Sequence, residues 1–127
     1  MTLVLLTPDL VEVIHEQVLN PGELTGRARD KSLEGALARV DNRIAYGLIA
    51  DVFDLAAAYA AAIAQGHCFN DGNKRTAHQT MDTCLDLNGV NLAWDPIEIG
   101  DLIIALAQGR TTDAALADWL RAKTHAV

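Results

Sequence analysis

The chain has few cysteines, few cations and no long apolar run, and each shortage closes a class of explanation. Its two cysteines, Cys68 and Cys84, stand in no C-x-x-C or other metal-ligand spacing, which points to a reduced intracellular protein. Ten Lys and Arg against 17 Asp and Glu give a net charge of −7. General nucleic-acid binding needs many cations set against phosphates, so no direct nucleic-acid partner is expected. No apolar stretch approaches transmembrane length. The N-terminus Met1-Thr2-Leu3-Val4-Leu5-Leu6 is apolar, but it lacks a basic leading region, is too short for a secretory signal and is closed by Thr7-Pro8. The expectation is a cytoplasmic protein without a membrane.

With 127 residues, half of them hydrophobic, the chain is the size of one domain, residues 1–127, with a core that needs no staple. Thr7-Pro8-Asp9 reads as a cap, a first-turn proline and a first-turn acid, followed by Leu10, Val11, Ile14 and Val18 at helical spacing. His15 lies in that helix, where a lone histidine is more often packed or exposed than a ligand. Residues 20–30 hold two glycines and little periodicity, so a mobile loop or short hairpin is expected, a flap able to cover a site.

Leu33, Leu37, Val40, Ile44 and Leu48 then mark a helix, or two short ones, over about 31–47. The stretch of about 49–65 is alanine-rich and apolar nearly all round, as befits a buried central helix, and Gly66 is placed as its C′ glycine. A helix over about 73–88 has one apolar face and one stripe of Arg75, His78, Gln79, Asp82 and Asp86. An extended connection follows over residues 90–94. Asp95-Pro96 and Thr111-Thr112-Asp113 open two more helices. The expected fold is all-α, with six or seven helices and a short flap.

Chemistry concentrates between the central helix and its successor, in His67-Cys68-Phe69-Asn70-Asp71-Gly72-Asn73-Lys74-Arg75. A loop opening into a helix presents unpaired N–H groups, and adjacent cations make it suited to an anion. His67 supplies an imidazole, a side-chain type that suits proton abstraction from an alcohol. Asp71 offers a carboxylate for Mg²⁺, Gly72 frees the backbone to converge on an anion, and Asn73 is positioned to cap the next helix. Lys74 and Arg75 supply the charge that phosphoryl transfer needs. The residues alone leave open a polar inter-helix turn in which Asn73 caps, His67 packs and the cations face water. A zinc site from His67, Cys68, His78 and Cys84 lacks a recognised spacing. A second basic group, Arg27, Arg29 and Lys31, is either solvated charge or a local phosphate site.

The pattern His67-x-Phe69-x-Asp71-Gly72-Asn73-x-Arg75 resembles the signature of Fic-domain proteins, H-x-F-x-[DE]-G-N-[GK]-R followed by a further Arg. Asn73-Lys74-Arg75-Thr76-Ala77, together with Leu33-Glu34-Gly35-Ala36-Leu37-Ala38-Arg39 and Tyr46, is similar to the Doc (death-on-curing) branch, the toxin half of toxin–antitoxin pairs. The resemblance implies a Fic/Doc fold and a kinase that moves the γ-phosphate of ATP to a Thr hydroxyl of elongation factor Tu. It implies His67 as base, Asp71 as Mg²⁺ ligand and Gly72, Asn73, Lys74 and Arg75 as phosphate cradle, with Gln79 standing where Doc has Asn.

Two departures from the wider Fic pattern weigh on the chemistry. Lys74 replaces the Gly of adenylylating members and fills space that the α and β phosphates otherwise take, which favours phosphoryl over adenylyl transfer; the adenylyltransferase is the alternative. His78 replaces the final Arg and removes a bidentate phosphate partner, which keeps a non-catalytic nucleotide- or partner-binding module in view. The self-inhibitory [ST]-x-x-x-E-[GN] segment does not occur in this sequence. Inhibition in trans is implied, by an antitoxin whose C-terminal helix lies in a groove.

Overall fold

A computed structural model of the chain describes residues 2–91 and 93–125. It contains six helices, α1 (Pro8–Val18), α2 (Leu33–Ala45), α3 (Val52–Gly66), α4 (Asn73–Leu87), α5 (Pro96–Ala107) and α6 (Asp113–His125). Among the described residues there is no strand, only an isolated antiparallel bridge between Arg27 and Phe69. None of these helices is long and apolar enough to cross a membrane.

The alanine-rich segment becomes the axis of the molecule. On α3, Leu55, Ala56, Ala57, Tyr59, Ala60, Ile63 and Ala64 are all buried. Helices α2, α4, α5 and α6 pack against it, and α1 packs on α4. Small side chains on opposite faces let these neighbours approach the α3 backbone closely, so burial is continuous around the helix. Within this core the Tyr59 hydroxyl accepts a hydrogen bond from the Leu6 backbone at 3.0 Å and ties down the N-terminal segment. Both cysteines are free and buried. Burial pushes the Cys84 thiol up to about 12 and raises Cys68 as well; both are small core residues held in the unreactive thiol form.

Local chemistry sets the helix starts. Side-chain oxygens of Thr7, Ser32, Asp51, Asp95 and Thr112 each accept an N–H from the first turn of the following helix. Helix α2 is shorter than its apolar spacing suggests, because Tyr46 and Leu48 bond back to Asn42 and Arg43 and Gly47 turns the chain at φ +72°. Leu48 is thereby left exposed and Ile44 sits at the surface, where periodicity placed them on the core face. The start of α3 falls at Val52 rather than near Ile49, since Asp51 caps it.

The end of α3 also departs from expectation. Gly66 is the last helical residue and His67, with φ +47°, takes the left-handed position reserved for a C′ glycine. Gly66 is small for a different reason: a Cβ there would lie 2.9 Å from the Cys68 sulfur, which folds back beneath the turn. The expected flap is neither free nor a hairpin. It lies along the motif loop, with Ala28 donating to the Cys68 carbonyl at 2.8 Å, Asn70 donating to the Gly26 carbonyl at 3.1 Å and the Asn70 side chain donating to the Thr25 carbonyl at 2.9 Å.

Candidate active site

Helix α4 begins differently from its neighbours. Its N-cap is Gly72, in the left-handed region at φ +76°, and no side chain caps the first turn. The first backbone donor engaged is Thr76, which bonds to the Gly72 carbonyl at 2.9 Å. The N–H groups of Gly72, Asn73, Lys74 and Arg75 have no acceptor among the described residues. Asn73 therefore does not cap the helix as its type suggested. Its carboxamide turns back to the loop, accepting from the Phe69 N–H at 3.0 Å and donating to the Phe69 carbonyl at 2.9 Å. Both polar ends of the side chain are used to close the loop, and the helix N-terminus stays open to an anion.

A cavity of about 350 Å³ opens over this terminus, lined by Ala64, His67, Asn70, Asp71, Gly72, Asn73, Lys74 and Arg75. Six residues singled out by sequence thus meet in one concave site, in the size range of small-ligand clefts. The His67 imidazole is exposed at its edge and has no hydrogen-bond partner among the described residues. Lys74 is exposed as well and forms no ion pair among them. Gln79 is not brought here. It borders a second cleft of about 330 Å³ with Asp82, Thr83 and Trp94, and its amide faces Thr83 at 3.4 Å. His78 is paired with Asp82 at 3.1 Å.

Arg75 lines the cavity but is already engaged. Its guanidinium donates to the Val18 carbonyl at 2.6 Å and to the Glu23 carboxylate at 2.5 Å. The hydrogen bond from Arg75 is the main reason the Glu23 carboxyl lies below the ordinary carboxylate range, and Glu23 in turn raises Arg75. Asp71 is held by the same flap, its Oδ2 accepting the Leu24 N–H at 2.7 Å. Its other carboxylate oxygen has no protein donor among the described residues. Arg27, in contrast, is not available to a phosphate. It bonds Glu12 at 2.5 Å and both oxygens of Glu34 at 2.7 and 2.6 Å, clamping the flap between α1 and α2.

Two contributors escaped the sequence reading. His15 is buried, stacked on Phe69 and bonded to the Asp71 carbonyl at 2.8 Å. A signal existed: Val11, Ile14, His15 and Val18 follow one helical face at i, i+3, i+4 and i+7, so His15 shares the core stripe. Glu23 had none, since a glutamate between two glycines of an aperiodic loop has no readable direction.

The family model for the Fic/DOC family matches residues 5–85, which takes in the flap, the motif loop and nearly all of α4. The chain belongs to the Fic/DOC family. It is similar to "Protein kinase doc" of Escherichia phage P1, 36% identical over 117 residues that cover 91% of this chain and 92% of that protein. It is also similar to "Toxin Doc" of Mycolicibacterium smegmatis, 41% identical over 76 residues, 58% of this chain and 57% of that one. The membership agrees with the all-helical architecture.

Proposed function

We propose that this chain is the toxin of a toxin–antitoxin pair and an ATP-dependent protein kinase, with a hydroxyl of a translation factor such as elongation factor Tu as acceptor. The observation that carries the reading is the single cavity in which an unpaired His67 faces the open N-terminus of α4, flanked by Asp71 and Lys74. The names of the two relatives given above, a protein kinase and a toxin, point the same way.

In this reading the amides of Gly72, Asn73, Lys74 and Arg75 hold the nucleotide phosphates, with the Lys74 ammonium adding charge where it develops during transfer. His67 takes the proton of the acceptor hydroxyl as its oxygen bonds to the γ-phosphorus, and the bond from that phosphorus to the β-phosphate oxygen breaks to release ADP. The unpaired oxygen of Asp71 is a hard donor suited to Mg²⁺. No group of three or more His, Cys, Asp or Glu side chains able to hold a metal occurs among the described residues. A single protein carboxylate with phosphate and water completing the shell is the usual arrangement for Mg²⁺ on a nucleotide. When bound, the ion neutralises phosphate charge. Gln79 opens onto the neighbouring cleft, so the reading places no phosphate on it.

An antitoxin is the expected partner, the means of restraint for a chain without a self-inhibitory segment of its own. The deciding experiment supplies ATP labelled at either the α or the γ position, with Mg²⁺ and elongation factor Tu or a bacterial lysate. Label entering protein from the γ position alone is expected. Entry from the α position makes the chain an adenylyltransferase, and nucleotide binding without any transfer makes it a binding module.

A further inference from the structure

His15 lies outside the cavity yet touches the loop that forms it. Its ring is almost fully buried and stacks on Phe69 with centroids 3.9 Å apart and planes 9° apart. Its Nε2 sits 2.8 Å from the carbonyl oxygen of Asp71. A carbonyl only accepts, so Nε2 carries the proton and the contact is a directed N–H···O bond from α1 to the loop.

That bond has a consequence across the peptide plane. The Asp71–Gly72 peptide is trans, like every described peptide bond in the chain, so its C=O and N–H point in opposite directions. Drawing the Asp71 oxygen toward α1 turns the Gly72 N–H away from it, and Gly72 lines the cavity with that N–H unpaired. The space behind the peptide is tight: a Cβ on Gly72 would lie 3.2 Å from Leu19 and 3.8 Å from His15. Left to itself, a glycine peptide in a left-handed turn has low barriers to reorientation.

We infer that His15 is a positioning residue for the phosphate-binding loop, fixing the Asp71–Gly72 peptide so that the Gly72 N–H meets an anion. It never touches the ligand. The inference rests on the proposed phosphate site, and it requires that the hydrogen bond and the ring stack be separable.

His15→Phe keeps the stack and loses the bond; His15→Gln keeps a donor near the Nε2 position and loses the stack. In the ligand-free protein, the Gly72 amide resonance is expected to shift in the Phe variant and to stay near its wild-type position in the Gln variant. Calorimetry with Mg²⁺·ATP is expected to give about tenfold weaker binding for Phe, the scale of one lost hydrogen bond, and recovery to within a few-fold for Gln. Thermal stability is expected in the reverse order, Phe above Gln. A purely structural histidine predicts that affinity follows stability, and that result, or a folded Gln variant that loses the Gly72 resonance position, overturns the inference. If the Phe variant does not fold, the Gln variant alone decides. If wild-type protein binds no Mg²⁺·ATP, the phosphate reading fails while the Gly72 resonances still judge His15.

Discussion

His67 is the sole non-glycine residue at positive φ among the described residues. An L-residue in the left-handed region costs of order 1 kcal/mol or more, and such strain persists where surrounding structure over-determines it. Here the α3 helix ends on it, Cys68 folds beneath Gly66, and the chain leaves toward Phe69 with the imidazole at the cavity edge. Among the described residues the imidazole has no hydrogen-bond partner that would compete with an acceptor hydroxyl. Under the proposed chemistry His67→Ala is expected to lower the transfer rate by about 10²–10⁴-fold, with Mg²⁺·ATP affinity within a few-fold of wild type. A variant that transfers at the wild-type rate removes His67 from the reaction.

At the scale of elements, the flap and α4 are joined through the side chains of Arg75 and Asp71, both of which line the proposed phosphate site. Glu23 occupies the Arg75 guanidinium and the Leu24 N–H occupies one oxygen of Asp71. A phosphate reaching Arg75 must compete with an internal carboxylate. Glu23→Gln is expected to tighten binding of inorganic triphosphate a few-fold, modestly because the pair is partly solvated. Isothermal titration of the two proteins checks it, and equal or weaker binding by the variant means that Glu23 serves flap placement alone. Acid acts in the same direction. Glu23 lies below its ordinary value in the folded chain, so the pair stands at neutral pH and is lost only as pH falls through that lowered value.

For the molecule as a whole, the N-terminus of the central helix is tied to the last helix by one side chain. Arg121 on α6 reaches Asp51 at 2.9 Å, Asp54 at 3.1 Å and Asp118 at 2.7 Å, and lies 5.7 Å over the Phe53 ring. One cation thus fastens α6 to the N-terminus of α3, and its hydrogen bond to Asp51 holds that carboxyl below the ordinary range. Arg121→Ala is expected to lower Tm by several degrees at neutral pH, for a loss of about 1 kcal/mol. Because the Asp51 pKa is depressed by folding, this contribution is present above the ordinary carboxylate range and fades as pH falls through the Asp51 value. The Tm difference between wild type and variant, followed into acid, should shrink. A constant difference assigns the effect to packing on Phe53.

The all-α class, the helix order, the helix starts at Thr7-Pro8, Asp95-Pro96 and Thr111-Thr112-Asp113, the buried alanine-rich axis and the loop from His67 to Arg75 are all local matters of spacing and side-chain type, and the sequence determined them by itself, leaving the count at six or seven where the structure has six. Family membership was legible for the same reason, since a motif is a run of neighbours. Direction in space was not. Asn73 closes the loop instead of capping α4 because Phe69 offers both a donor and an acceptor within reach, a fact of the turn's geometry. Gly66 stays helical and His67 takes the left-handed position expected of Gly66, while the Cys68 sulfur sits where a Cβ on Gly66 would lie, a contact made only once the chain has turned. His15, 56 positions before Asp71, and Glu23, 52 before Arg75, reach the site only through the packing of α1 and its loop on α4. Contacts of that separation depend on how helices cross, and only the tertiary structure decides it.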